Sequence, residues 1–401
     1  MNRDAQAQAN RVRLIQGGDA LIAAMVQAVE ASRTEVRIET YIFDLRGAPQ
    51  QLALSLMRAA QRGVRVMVLV DAVGSAPTPP DWVQRFAEAG VQWQRYNPVV
   101  GLGWLMPGQW RRLHRKLAVI DDTVAFCGGI NLLDDRLTLD GGTLARPRFD
   151  FAVQVHGPLV AAVYATVHTL WWRVQLGQQL RHREWAAAWD AVRQARRNEP
   201  PSEAPPTVPA VTHAALVLRD NLRHRTRIER SYRRALERAE HEVWIANAYF
   251  LPGRRLRHAL ITAAQRGVRV HLLLQGRYDN FWQYYATRAL YGGLLRAGVA
   301  IFEYQASFLH AKVAVVDGHW ATVGSSNLDP LSLLLAREAN VVVQDAPFAA
   351  SLRQALVQAC RNEAVPVTLE QLACRSLWRR WQDHAALWLM RLILALTGKR
   401  Y

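Results

Sequence analysis

Apolar and polar positions along this chain follow two periods in turn, and the succession runs through twice. Glu35–Phe43 (EVRIETYIF) reads as a strand, and the apolar positions after it recur at helical spacing up to AAQRGVRVMVLVD, a helix end and a buried strand. From Glu242–Phe250 (EVWIANAYF) the same order returns and ends in AAQRGVRVHLLLQ. Each copy continues through an Ala-Gly-Val turn (Ala89–Val91, Ala297–Val299) and then an apolar strand opened by His-x-Lys. A further strand closes each copy, FDFAVQV from Phe149 and REANVVV from Arg337. Strands alternating with amphipathic helices predict an α/β fold in two pseudo-symmetric halves, each a mixed, mostly parallel sheet flanked by helices.

The pattern divides the chain into a first domain over residues 1–193, a Pro-rich stretch at 194–212, a second domain over 213–365 and a helical tail from 366 to 401. The five prolines of RRNEPPSEAPPTVPAV mark a solvated linker or surface loop. Before it, residues 159–196 read as one long helix. The tail LWRRWQDHAALWLMRLILALTGKRY is apolar on much of its surface and carries Trp and Arg together. Its apolar run is broken by Arg391, so it suits a helix lying among lipid headgroups better than one crossing a bilayer. Trp104, Leu105, Met106 and Trp110 form a second apolar group just ahead of the first His-x-Lys, beside an Arg pair.

A formal charge of +17 adds that the partner is anionic, whether nucleic acid, an anionic membrane or a phosphate-bearing substrate. Of the 50 basic side chains only Lys116, Lys312 and Lys399 are lysine, and the first two sit in matching motifs. A compact ammonium on a flexible stem, rather than the planar fork of Arg, is what those two positions require. Cys127, Cys360 and Cys374 have neither metal nor redox spacing, which suits a reducing compartment. The polar start of the chain and the lack of a long unbroken apolar run lead us to expect a protein at the cytoplasmic face of the inner membrane, peripheral and without a spanning helix.

The two motifs are HRKLAVIDDTVAFCGGIN (His114–Asn131) and HAKVAVVDGHWATVGSSN (His310–Asn327). Residues two apart on a strand share a face, so His114 points with Lys116 and His310 with Lys312. Asp121 and Asp317 open tight turns, and the glycines that follow permit the return that presents Asn131 and Asn327. Each half thus offers an imidazole, an ammonium and an amide, and two such sets facing one another would surround one phosphate. Gly129 stands where the second motif has Ser325, so the halves differ by one hydroxyl.

These residues resemble the HKD motif of the phospholipase D superfamily, in both copies and over nearly the whole chain. The stretches WRRLHRKLAVID and SSNLDPLSLLLAREANVVV are most similar to bacterial cardiolipin synthases of the B type. The resemblance implies an active site at the interface of the halves. Its catalytic set is His114, Lys116, Asp121, His310, Lys312 and Asp317, although the two aspartates also suit a bracing role in the turns. It implies phosphate binding by Asn131, Asn327 and Ser325, and orientation of the histidines by Asp150 and Glu338. His114 would attack phosphorus and His310 would act as acid and base. No metal and no cofactor is implied, because two ammonium groups supply the positive charge. The substrate implied is anionic phospholipid, phosphatidylglycerol, at a membrane surface, with phosphatidyl transfer from one molecule to another. A hydrolase with water as acceptor, a nuclease of the same superfamily, and a silent lipid-binding module are the rivals; nucleic acid is not the expected partner.

Overall fold

The computed structural model describes residues 10–99, 111–138, 141–181, 213–220, 225–277, 281–329 and 336–396. The Pro-rich stretch, residues 104–110 and the helix expected beyond Arg181 lie outside them. The first half contains strands β1 (Arg11–Gln16), β2 (Glu35–Thr40), β3 (Arg65–Asp71), β4 (Gln92–Tyr96), the two-residue β5 (Arg112–Leu113), β6 (Lys116–Ile120), β7 (Val124–Gly128) and β8 (Phe151–His156). All but β5 form one sheet in the order β1-β8-β7-β6-β2-β3-β4. The second half contains β9 (His213–Arg219), β10 (Glu242–Asn247), β11 (Arg269–Gln275), β12 (Ala300–Tyr304), β13 (Lys312–Val316), β14 (Trp320–Gly324), β15 (Ala336–Gln344) and β16 (Ala364–Val367). Starting from β9, which pairs with β15, its sheet repeats the first strand for strand and adds β16 beyond β12.

Apart from the two-residue β5, which pairs parallel with β15 across the halves, parallel pairing within each sheet is confined to β2-β3-β4 and to β10-β11-β12. The remaining ladders within the sheets are antiparallel. The sheets are therefore mixed, as the sequence suggests, but not mostly parallel. Only three residues join β6 to β7 and β13 to β14, and so short a connection can only reverse the chain.

Helices α1 (Gly18–Glu30), α2 (Ala48–Gln61) and α3 (Pro80–Ala89) cover the outer face of the first sheet. Helix α4 (Leu159–Arg181) follows β8. Helices α5 (Arg227–Arg238), α6 (Arg254–Gln265) and α7 (Phe281–Arg296) cover the second sheet, and α8 (Ala346–Glu363) follows β15. The short α9 (Leu369–Ala373) and α10 (Leu377–Leu396) complete the described chain, with α10 packed on α7. The duplicated AAQRGV ends α2 and α6 in the same way. Gly63 and Gly267 turn left-handed at φ 90° and 91°, and the Val N–H after each reaches back to Ala59 and Ala263.

The inner faces of the two sheets share one apolar cluster. Leu117, Cys127, Phe151 and Val153 from the first half are buried in it with Val313, Val323, Val341 and Phe348 from the second. The long helices cross over: α4 packs on β9 and α8 packs on β1. Neither half closes its core alone, so the two should melt together. Phe151→Ala, at a fully buried position, should cost about 3–5 kcal/mol. Calorimetry should show a single transition displaced to lower temperature, and two separated transitions would contradict a shared core.

Candidate active site

Each histidine stands just before a strand, in a segment held by both halves. Before His114, Leu113 donates its N–H to Asp71 at the end of β3 (2.8 Å). Before His310, Leu309 donates to Gln275 at the end of β11 (3.0 Å). The next N–H crosses between halves: His114 N–H donates to the Arg337 carbonyl (3.1 Å), and His310 N–H to the Phe149 carbonyl (2.9 Å). Short parallel pairings carry this contact, β5 against Ala336 and Arg337, and Leu309 against Phe149. Asp150 and Glu338 are the residues that follow Phe149 and Arg337. Each carboxylate is thereby delivered to the histidine of the opposite half.

The side chains complete that exchange. His310 Nδ1 lies 2.6 Å from Asp150, and His114 Nδ1 lies 3.2 Å from Glu338. A ring that donates from Nδ1 keeps the lone pair on Nε2, the nitrogen left for chemistry. Lys116 Nζ donates to the His114 carbonyl (2.7 Å), and Lys312 Nζ donates to the His310 carbonyl and lies 3.9 Å from Asp150. Both lysines are buried, Lys312 completely. The Tyr41 ring packs on His114 with centroids 4.7 Å apart.

Burial lowers the pKa of Lys116 to about 7, with Glu338 pulling the other way. Burial also lowers both histidines; His310 falls well below its ordinary value because Lys312, Lys116 and His114 add to the effect. Asp150 is raised to about 6 by burial, against the pull of Lys312. Glu338 is pushed up by burial too, but His114, Arg219 and Lys116 outweigh this and hold it below its ordinary value. Two buried lysines and two buried carboxylates, beside imidazoles kept near neutral, bring the site close to charge balance, and the lysine N–H groups are the donors it offers to an oxyanion.

The motif aspartates are elsewhere. Asp121 and Asp317 sit at the far ends of β6 and β13, each with positive φ. Asp121 accepts from the backbone of Arg33, Thr34 and Glu35, and Asp317 from that of Glu240, His241 and Glu242. At roughly 3.3 Å per residue they stand about 16 Å from the lysines, so they brace turns and touch no reacting atom. Ser325, expected at the phosphate, has a buried hydroxyl that donates to Glu338 and accepts from Ala339 N–H (3.1 Å), so its contacts here are with the carboxylate beside His114 and its own strand neighbour. Asn131 and Asn327 each hold a buried amide oxygen with no hydrogen-bond partner among the described residues. An amide oxygen only accepts, so a phosphate oxygen at these residues would be met by the amide N–H of the same side chains.

Three features of the site escaped sequence reading. Asp71 and Gln275 end duplicated strands, so the repeat itself could have pointed to them. Arg219, 1 % exposed, has no such signal. It lies directly across from Glu338 in the β9–β15 ladder and donates to Ser326 Oγ (3.2 Å). Its counterpart beside Asp150 is Gly17, whose N–H donates to the Asp150 carbonyl (3.0 Å). Among the described residues, no group of three or more His, Cys, Asp or Glu side chains is arranged to hold a metal.

Paired His-Lys half-sites, interleaved across two equivalent sheets, define a phospholipase D-like protein. A family profile described as "Cardiolipin synthase, PLD-like domain" matches residues 25–145 and 232–359. Cardiolipin synthase B of Salmonella typhi is 39% identical over 392 residues, covering 98% of this chain and 90% of the relative. The protein of the same name from Escherichia coli K12 is 37% identical over the same length. Phosphatidylserine synthase of Haemophilus influenzae has the same fold, with a TM-score of 0.70 over 96% of this chain and 95% of its own, at 13% identity. The chain belongs to the cardiolipin synthase family of the phospholipase D superfamily, on the side of its B-type members.

The Gly129/Ser325 difference has a steric cause. A Cβ on Gly129 would lie 2.5 Å from the Asp150 carboxylate, which fills that space, whereas in the second half Ser325 occupies it and bonds Glu338. Gly129→Ser should therefore disrupt the Asp150–His310 pair rather than restore symmetry. We expect a loss of about 1–3 kcal/mol of stability and a changed His310 imidazole signal by NMR. An unaltered His310 signal would refute the steric account.

Proposed function

We propose that this protein is a cardiolipin synthase that moves a phosphatidyl group from one phosphatidylglycerol to the glycerol hydroxyl of another. The observation that carries this reading is the crosswise arrangement of the histidines, each oriented by the other half's carboxylate beside two buried lysines. Likeness to the B-type relatives over nearly the whole chain supports the choice of lipid.

In the proposed first step, His114 Nε2 attacks phosphorus and the bond from phosphorus to the glycerol oxygen breaks. His310 gives that oxygen its proton, glycerol leaves, and the phosphatidyl group remains on His114. In the second step, His310 takes the proton from the hydroxyl of the incoming phosphatidylglycerol. That oxygen attacks phosphorus, the P–N bond breaks, and cardiolipin leaves with His114 regenerated. His310 must be cationic to begin. Burial and the neighbouring lysines both depress His310; the diester's negative charge offsets the lysines' share, so substrate itself raises the proton affinity of the acid. Lys116, Lys312, Asn131 and Asn327 would hold the non-bridging oxygens, and Glu338 and Asp150 would fix the rings.

We further propose that the protein works at an anionic membrane surface as a peripheral protein. Among the described residues, no helix is long and apolar enough to cross a membrane. The halves serve as two phospholipase D-like domains, at about 1–193 and 213–365, with the rest of β16 (through Val367) and the helices after it belonging to the second.

Purified protein on phosphatidylglycerol vesicles should yield cardiolipin and one glycerol per cardiolipin. Phosphatidic acid as the only product would establish water as the acceptor and overturn the transferase reading. His114→Ala and His310→Ala should each lower turnover by roughly a thousandfold or more, because the two act as one unit. Their melting temperatures should stay near that of the parent.

The dependence of kcat/KM on pH should be bell-shaped. As pH falls through about 6, Asp150 gains a proton and ceases to accept from His310, so activity drops. As pH rises, His310, held well below its ordinary value by burial and the lysines, loses the proton it must give, and through about 7 Lys116 loses its own, so activity drops again. In Asp150→Asn the acid limb should move or vanish while the alkaline limb stays. An unchanged acid limb would exclude Asp150 as its origin.

A further inference from the structure

Helix α10 has two faces of opposite character. One is docked: Ala386 and Leu387 are buried in the core of the second half, against α7. Asp383, 4 % exposed, pairs with Arg375 and lies in the field of Arg288 of α7, which in turn pairs with Glu303 of β12 (3.3 Å). The helix is therefore a fixed part of the second half and not a loose tail.

The other face is bare. Trp378 is 64 % exposed, Trp381 60 % and Trp388 64 %, with Leu392 at 38 %. With Ala385 between them, these residues follow one another at steps of three and four, so they form a single stripe along the helix. Trp378 and Trp381 stack on each other with centroids 5.1 Å apart, which leaves their outer edges free. Three indoles in water on an ordered helix are costly unless something covers them.

We propose that this stripe is a membrane-docking surface, its indoles seated at headgroup level in a bilayer containing anionic phospholipid. Indole combines an apolar body with one N–H donor, which suits the boundary between acyl chains and headgroups. The segment from Arg375 to Tyr401 has six basic residues and one acidic, Asp383. Laid on an anionic surface those charges attract, whereas a second copy of the same segment would bring like charges together. A self-associating seam at this spacing would also call for interlocking aliphatic side chains, not three tryptophans. Among the described residues, α10 is anchored in the core of the second half, so docking orients the two-fold site unequally towards the lipid.

The inference rests on the lipid reading of the shared site, and the test separates the two. The probe is vesicles of phosphatidylglycerol in phosphatidylcholine, with pure phosphatidylcholine vesicles alongside. Full-length protein should partition to the anionic vesicles, less so as salt rises, and brominated acyl chains should quench its tryptophan emission. Trp378→Ser/Trp381→Ser/Trp388→Ser should weaken that partition roughly tenfold or more. Turnover of a short-chain, monomeric phosphatidylglycerol should be unchanged in it, which also certifies that it is folded. A Phe triple variant should keep most of the binding, and Val73→Ser/Val83→Ser, which removes other exposed apolar groups, should keep all of it.

Parental partition in the Ser variant, or loss of the short-chain turnover with it, would overturn the proposal. So would sedimentation showing that the parent self-associates through the stripe and the Ser variant does not. If the parent itself fails to turn over short-chain phosphatidylglycerol while binding vesicles, the reading of the active site falls and the docking surface stands.

Discussion

The whole arrangement depends on two short parallel pairings, β5 on Ala336 and Arg337, and Leu309 on Phe149. They are brief, and each fixes a histidine against a carboxylate from the other half. Backbone hydrogen bonds leave little freedom in register, and a slip of one residue would turn Asp150 or Glu338 away from its ring. The apolar cluster between the sheets supplies the driving force for association but has no comparable directionality. Packing brings the halves together, and these few backbone contacts decide how they meet. A half on its own would present a histidine with nothing to fix its tautomer.

Approximate two-fold symmetry explains the fold, but the chemistry needs its breakdown. One imidazole must attack phosphorus while the other carries a proton, and identical environments would make the roles interchangeable. The environments differ in three ways. Glu338 is bonded by Ser325 and lies across from Arg219, while Asp150 has Gly129 and Gly17 in the matching places. Tyr41 packs on His114, and its counterpart near His310 is Ala248. Glu338 is held below its ordinary value by His114 together with Arg219, against the effect of burial, whereas burial raises Asp150 to about 6. The histidine with the firmer anionic partner is the better placed to hold positive charge on its ring during attack, in keeping with His114 as nucleophile.

The sequence made the duplication, the strand-borne His-x-Lys pairs and the helix stops plain, because each depends on local spacing. Asp150 and Glu338 could be placed with the histidines by resemblance, but not the crossing of partners, which is a property of three-dimensional register. Sheet direction was misjudged for a similar reason: alternation of strands and helices signals the parallel part, while the returning strands declare themselves only through three-residue turns. Asp121 and Asp317 share the motif with the paired histidines and lysines yet lie a strand's length away, held by backbone N–H groups. Motif membership shows that a residue is needed by the unit, not that it meets the substrate. Arg219 shows the converse, a buried charge at the site with no motif around it.

Burial of Lys116 and Lys312 in the absence of substrate is unfavourable, and the lowering of Lys116 to about 7 is a measure of that. A phosphodiester entering the site removes the penalty, since its charge is delocalised over the oxygens that the lysines and Asn131 and Asn327 would face. In the proposed reaction, binding would therefore be coupled to proton uptake, the anion raising the affinity of Lys116 and His310 for protons together. The site is most fully charged when occupied by a diester and least so when empty. That coupling favours reaction while a lipid phosphate is in place, and it uses only the buried lysines and crossed carboxylates that the two halves bring together.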